Sequence, residues 1–226
     1  MRPFVFVNIA MSADGKISTR ERRQVRISGK EDFARVDTIK AGSDAIMVGI
    51  GTVLADNPSL TVKSQELREQ RLASGVDEHP IRIVVDSLGR TPPDADILHK
   101  GTGKRIIAVS QQAPGTRVTE LARHATVIVA GEEHVDLAAL LDTLYRQGIR
   151  RLMVEGGGTL IWALFEQDLV DELQVFIGDM IIGGRDAPTP ADGKGFLREE
   201  DFVRLRLLDA ERLDEGLLIR WSVKEK

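Results

Sequence analysis

Short apolar runs bounded by glycine, proline or polar residues recur at 4–9, 44–48, 81–86, 105–109, 125–130 and 150–154, as buried β-strands do. Ile81-Arg82-Ile83-Val84-Val85 is almost continuously apolar, which suits a sheet covered on both faces. Helical periodicities separate several of these runs. Ser28-Gly29-Lys30-Glu31 has the spacing of a capping box, so a helix is expected from there to a C-cap at Gly42. Asp136 opens another helix, in which Leu137, Leu140, Leu141 and Leu144 form one stripe before Gly148 ends it. Strand–helix alternation of this kind predicts βαβ units and a largely parallel sheet. The pattern then changes. A helix at 159–167 is followed by strand patterns at 171–177, 203–209 and 216–223, with a Gly/Pro-rich loop at 183–195. Strands without intervening helices predict antiparallel additions to the sheet. Residues 64–80 read as a polar excursion, and 1–226 as a single α/β domain.

Composition narrows the function classes. The chain has 226 residues with 31 Lys+Arg against 35 Asp+Glu, a net charge of −4, so no broad nucleic-acid surface is expected. No apolar run reaches 18 residues, and the run Phe4-Val5-Phe6-Val7 is too short for a signal core. No membrane partner is therefore expected, and the reading is a soluble, cytoplasmic protein. With no cysteine, disulfides, thiolate zinc sites and a cysteine nucleophile are excluded. His79, His99, His124 and His134 lack metal-ligand spacing and read as surface residues; no metal site is expected.

Three segments carry the candidate chemistry. In Val154-Glu155-Gly156-Gly157-Gly158-Thr159-Leu160 a strand runs through three glycines into a helix. Glycine lets backbone approach a ligand closely, and N–H groups at a helix start favour a phosphate. The alternative is a tight turn. The segment is neither a GxGxxG fingerprint nor a Walker A loop. In Gly49–Lys63 (GIGTVLADNPSLTVK) a second strand ends in glycines; Thr52 is a candidate helix cap, and Asp56 lies one turn later. Asn8–Lys16 (NIAMSADGK) is a strand end with a turn at Asp14-Gly15. Ligands of parallel sheets gather at the carboxyl ends of strands. Arg20, Arg22 and Arg23 form a basic cluster nearby, either a solvated loop or a phosphate-binding lid.

In this order, NIAMSADGK, GIGTVLADNPSLTV, VDSLGR (85–90) and VEGGGT (154–159) resemble the reductase family of riboflavin biosynthesis, which includes the C-terminal reductase domain of the bifunctional bacterial deaminase-reductase. Leu169-Val170-Asp171-Glu172, Ile182-Gly183-Gly184 and Ala187-Pro188-Thr189 extend the likeness over nearly the whole chain. The resemblance implies a dihydrofolate-reductase-like fold, a homodimer, NADPH as hydride donor with NADH a poorer one, and reduction of a ribosylaminopyrimidine 5′-phosphate to its ribityl form. The bacterial zinc deaminase needs cysteine ligands. A cysteine-free chain therefore points to a stand-alone, archaeal-type reductase acting on 2,5-diamino-6-ribosylamino-4(3H)-pyrimidinone 5′-phosphate, with the deaminated uracil as the alternative.

By motif position the resemblance places Ala10, Thr52, Asp56 and Ser87 at the cofactor, with Gly157, Gly158, Thr159 and Leu160 on its phosphates. Arg26 stands where bacterial relatives often have a tryptophan against the cofactor. Asn8, Lys40, Leu60, Lys63 and Glu155 fall toward the substrate, Lys63 with the stronger claim to its phosphate. Asn8 replaces a common bacterial lysine, and an amide both donates and accepts, so it is expected to face the pyrimidine edge. Ser87 and Arg90 are candidates for the adenosine 2′-phosphate. Glu155 is the candidate proton donor, or a ligand of the sugar hydroxyls. The rival functions are a dihydrofolate reductase and a catalytically silent nucleotide-binding protein.

Overall fold

The computed structural model describes residues 1–23 and 25–224. In chain order the elements are β1 (Phe4–Met11), α1 (Lys30–Ala41), β2 (Ala45–Gly49), α2 (Ile50–Asp56), α3 (Gln65–Ala73), β3 (Ile81–Val85), α4 (Asp96–His99), β4 (Arg105–Val109), α5 (Gly115–Leu121), β5 (Thr126–Val129), α6 (Leu137–Arg146), β6 (Arg151–Val154), α7 (Gly158–Glu166), β7 (Glu172–Ile177), β8 (Leu205–Leu213) and β9 (Gly216–Val223). They fall into two compact units, Met1–Phe4 with Val36–Met153, and Val5–Arg35 with Val154–Lys226.

In the first unit the strand order is β5-β4-β3-β2, with β6 beside β2. The β2–β3, β3–β4 and β4–β5 pairings are all parallel. Ile46, Met47, Val48, Ile83, Val84, Ile106 and Ile107 are buried, which is why these strands read as continuous apolar runs. Leu137, Leu140, Leu141 and Leu144 of α6 are buried as their spacing predicts. The polar excursion at 64–80 contains α3. No residue of α3 is buried, so it has no apolar stripe to betray it; the Ser64 hydroxyl caps it by accepting from the Leu67 N–H at 3.3 Å. Arg82 lies fully buried within β3. Its guanidinium donates to the carbonyls of Lys100 and Thr102, and burial, then Arg105, lowers its pKa to about 10.

In the second unit the order is β1-β7-β9-β8. β1 and β7 run parallel, from Phe6 opposite Glu172 to Met11 opposite Ile177. The β7–β9 and β8–β9 pairings are antiparallel, as the helix-free end of the chain implies. The expected capping box does not cap α1. The N–H groups of Glu31 and Asp32 donate to the Asp214 carboxylate at 3.1 and 2.9 Å, from the β8–β9 turn. Gly29 permits this approach, since a Cβ there would meet the Asp214 carboxylate at 2.3–2.7 Å. A carboxylate at a helix N-terminus also complements the helix dipole, and these N–H groups hold the Asp214 pKa below the usual carboxylate range.

Candidate functional site

The first unit gathers the lysines expected at the substrate phosphate. The N–H groups of Lys63 and Ser64 each donate to the buried Asp37 carboxylate at 2.7 Å. The Lys63 ammonium donates to Ser59 Oγ at 2.9 Å and Thr61 Oγ1 at 2.7 Å. Partial desolvation, then the charges of Lys40 and Lys100, lower the Lys63 pKa. A site that crowds cations is suited to an anion. Leu60 is buried with φ 51°, a left-handed conformation that a branched side chain seldom adopts, so this segment is held in place by its surroundings. Gly101 leaves no room for a Cβ between the His79 ring and Thr61 Cγ2, at 2.6 and 2.9 Å. Arg82, holding the carbonyls on either side of Gly101, thus buttresses the seat of Lys63.

Thr52 is the third residue of α2, whose N-cap is Gly49 with no side-chain cap bond; the expected Thr52 cap is not formed. Asp56 is half-buried, and desolvation raises its pKa. The loop after β3 is held from several sides. Asp86, fully buried, accepts from the Thr91 N–H and hydroxyl at 2.6 and 2.8 Å. Arg117 donates to the carbonyls of Gly89 and Thr91 at 2.8 and 2.7 Å. Ser87 Oγ accepts from the Val135 N–H at 3.1 Å, which leaves the hydroxyl proton available to a ligand.

In the second unit the glycines after β6 lead into α7. Its N-cap, Gly157, makes no side-chain cap bond, so first-turn N–H groups remain open to an anion, and Thr159 is exposed there. A Cβ on Gly158 would meet the Thr189 carbonyl at 2.5 Å. The 183–195 loop therefore folds over this helix start, and Trp162 packs against it, 4.8 Å from the Phe196 ring. Glu155 is half-buried at the end of β6.

Asp14 ties the first loop to the same unit. It accepts from Ser12 Oγ at 2.6 Å and from the N–H groups of Ile182 and Gly183 at 3.0 and 2.8 Å, and these bonds, Ser12 first, lower its pKa to about 2. A depressed folded pKa means stability that is present above the unfolded value and lost as pH falls through the folded one. We therefore expect the gap in urea midpoint between the native chain and Asp14→Ala to hold above pH about 4 and to close toward pH about 2.

Arg26 lines a cavity of about 560 Å³ with Ile27, Phe176, Met180, Arg212 and Asp214. It is the one residue among those expected at the cofactor or substrate that borders it. The Arg20–Arg23 cluster is a surface loop, with Arg23 paired to Glu21 at 3.1 Å; Gln24 lies outside the described residues.

Asn8 and Ala10 share one face of β1, opposite Gln174 and Phe176 of β7. Arg35 of α1 reaches that face. Its Nη2 donates to Asn8 Oδ1 at 2.7 Å, its Nη1 to Gln174 Oε1 at 2.8 Å, and its Nε to Asp32 Oδ1 at 2.8 Å. Asn8 thus spends its acceptor on Arg35. Arg35, Asp32 and Arg82 are not singled out by motif or periodicity; only Arg82 carries a signal, a charged residue within an otherwise apolar strand. His79 is also a correction. It is 5% exposed rather than a surface residue, and its Nδ1 accepts from the Val62 N–H at 3.3 Å. Its neighbour across Gly101, Thr61, arrives from 18 residues earlier in the chain, and so does the burial.

Comparison with known proteins identifies the family. Residues 3–219 match the family model described as the RibD C-terminal domain. A protein of Archaeoglobus fulgidus, 53% identical over 97% of this chain and 97% of its own length, is named 2,5-diamino-6-ribosylamino-4(3H)-pyrimidinone 5′-phosphate reductase. A Methanothermobacter thermautotrophicus protein of the same name is 46% identical over 99% of this chain and 100% of its own. Among solved structures, RibD of Acinetobacter baumannii superposes with a TM-score of 0.81 at 25% identity over 99% of this chain, which spans 58% of that RibD chain. The mixed, mainly parallel sheet with antiparallel C-terminal strands is the dihydrofolate-reductase-like fold of such reductase domains. The chain belongs to the RibD C-terminal domain family.

Proposed function

We propose that this oxidoreductase reduces the ribosyl group of 2,5-diamino-6-ribosylamino-4(3H)-pyrimidinone 5′-phosphate to ribityl, with NADPH as donor, and that residues 1–226 act as one reductase domain. The observation that carries this reading is the extent and closeness of the match to the archaeal reductases of that name. The residues suit the ligands. Taken one by one, the open N–H groups at the start of α7 suit a phosphate, the Ser87 hydroxyl can donate to one, and the Lys63 seat suits a phosphomonoester. NADPH supplies hydride to the ribose carbon; the protein orients the two reactants, which itself lowers the barrier. Glu155 is assigned to the sugar, as proton donor or hydroxyl ligand.

The test is NADPH oxidation with the diaminopyrimidinone and its uracil counterpart in parallel. Turnover of the first ahead of the second is expected; turnover of dihydrofolate alone, or NADPH binding with no oxidation, would overturn the reading. In the same assay Ser87→Asp should depress the NADPH rate far more than the NADH rate, by about tenfold or more, because a carboxylate repels the 2′-phosphate.

A homodimer forms part of the proposal. By register, Leu205 and Leu207 of β8 lie on one face with Leu217, Ile219, Trp221 and Val223 of β9. Leu207 is 52% and Leu217 44% exposed, an apolar sheet face suited to a second copy of the chain. Sedimentation should give twice the chain mass, and Leu207→Lys should shift it toward monomer.

A further inference from the structure

Residues 62–64, which carry the Lys63 ammonium, belong to no helix or strand, so side chains from elsewhere serve their backbone. The Lys63 and Ser64 N–H groups donate to Asp37. The Val62 and Lys63 carbonyls accept from Arg68 Nη1 at 3.3 and 3.0 Å. The Val62 N–H donates to His79 Nδ1, and Val62 is 1% exposed. Among carboxylate, guanidinium and imidazole, only imidazole ordinarily changes charge between about pH 5 and 8. A backbone N–H can only donate, so the His79 ring is neutral here, with Nδ1 bare and its proton on Nε2. Nε2 faces Glu78 Oε1 at 3.6 Å, which favours that tautomer. Glu78 is fixed in turn by the Thr102 hydroxyl, which donates to Oε1 at 2.7 Å, and by Arg68 Nε, 3.6 Å from Oε2. Among the described residues, the charged groups facing His79 are Glu78, Arg82 of β3, Arg68 of α3 and Lys63. Burial lowers the His79 pKa below its ordinary value; Glu78 acts the other way, and the three cations add to the lowering.

We propose that His79 is a positioning residue of the phosphate seat: its neutral imidazole holds the Val62 peptide, and with it the stem of Lys63, and its protonation releases that segment. This rests on the functional reading above, in which Lys63 binds the substrate phosphate. Once protonated, Nδ1 is a second donor facing the Val62 N–H, and a buried peptide loses its partner. A depressed folded pKa means that the contact is present above the unfolded value and lost as pH falls through the folded one. Anion binding at Lys63 should therefore weaken below about pH 6.5. Lys63 itself only gains charge as pH falls, so its own titration has the opposite sign. A phosphomonoester loses charge in the same range; sulfate does not, which makes it the cleaner probe.

Sulfate is titrated as a competitive inhibitor against the phosphorylated pyrimidine from about pH 8 to pH 5, with native enzyme, His79→Asn and His79→Leu, and thermal melting checks the fold. Asparagine keeps an acceptor, Oδ1, close to where Nδ1 stood and has no proton to gain; leucine keeps apolar bulk and removes the acceptor. The native inhibition constant should rise about fivefold or more as pH falls, and that of His79→Asn by less than about twofold. At about pH 8, His79→Leu should raise the KM for the pyrimidine about fivefold or more, with kcat and the KM for NADPH within about twofold of native. A flat native profile, or a leucine variant that melts lower with its substrate KM unmoved, overturns the proposal and leaves His79 a purely structural residue. If His79→Leu does not fold, the native and asparagine profiles decide alone, and parallel profiles overturn it. Native enzyme that turns over neither pyrimidine brings down the functional reading instead. The imidazole ¹⁵N spectrum then still judges the His79 contact without any ligand: a bare Nδ1 at neutral pH supports it, and a protonated Nδ1 overturns it.

Discussion

Lys63→Met is expected to lower kcat/KM for the phosphorylated pyrimidine by about 100-fold, almost entirely through KM. The ammonium rests on Ser59 and Thr61 hydroxyls, and both oxygens accept from it, so it arrives at a ligand already oriented. Methionine keeps the length of the stem and removes the charge. A charge-assisted contact to a phosphate contributes about 2–3 kcal/mol, and each 1.4 kcal/mol is about tenfold. KM for NADPH should not move, and the dephosphorylated pyrimidine nucleoside should be turned over equally by native and variant enzyme. A loss that is equal for both pyrimidines would remove Lys63 from the phosphate.

Arg82→Ala should destabilise the fold by about 3 kcal/mol, lowering Tm by about 6–12 °C. It empties a fully buried volume in β3 and deprives the carbonyls of Lys100 and Thr102 of their donor. Arg82→Met separates the two losses, since it fills the space and still frees the carbonyls; about half the destabilisation should return. Because those carbonyls flank Gly101, which packs on Thr61 and so on the seat of Lys63, the methionine variant should also raise the substrate KM. Unaltered melting in both variants would show that the 100–103 loop does not depend on Arg82.

Local chemistry explains which parts of this molecule could be read in advance. Strands β2, β3 and β4 of the first unit are legible because burial on both faces demands nearly uninterrupted apolar residues, and α6 because its leucines repeat with the helical period. The glycine strand ends are legible because backbone that must approach another group closely excludes a Cβ, as at Gly158. α3 was hidden because a helix with no buried residue has no stripe. The capping box misled because its spacing is a local signal, and Asp214, distant in sequence and brought in by the β8–β9 turn, supplied a stronger acceptor to the same N–H groups.

The sequence by itself determined the α/β class, the places where strands end in ligand-sized loops, and, through its motifs, the family. These follow from periodicity and from steric rules that act within a few residues. The tertiary structure alone decided what each polar group is committed to. Asp32 and Arg35 are unremarkable as letters, and join Asn8 in one hydrogen-bonded cluster only when β1 and α1 face each other. His79 and Arg82 pass for surface or misplaced residues until the fold encloses them. Hydrogen bonds between distant segments depend on distances that no local pattern encodes, and it is those bonds that turn a list of candidate residues into a site with a direction.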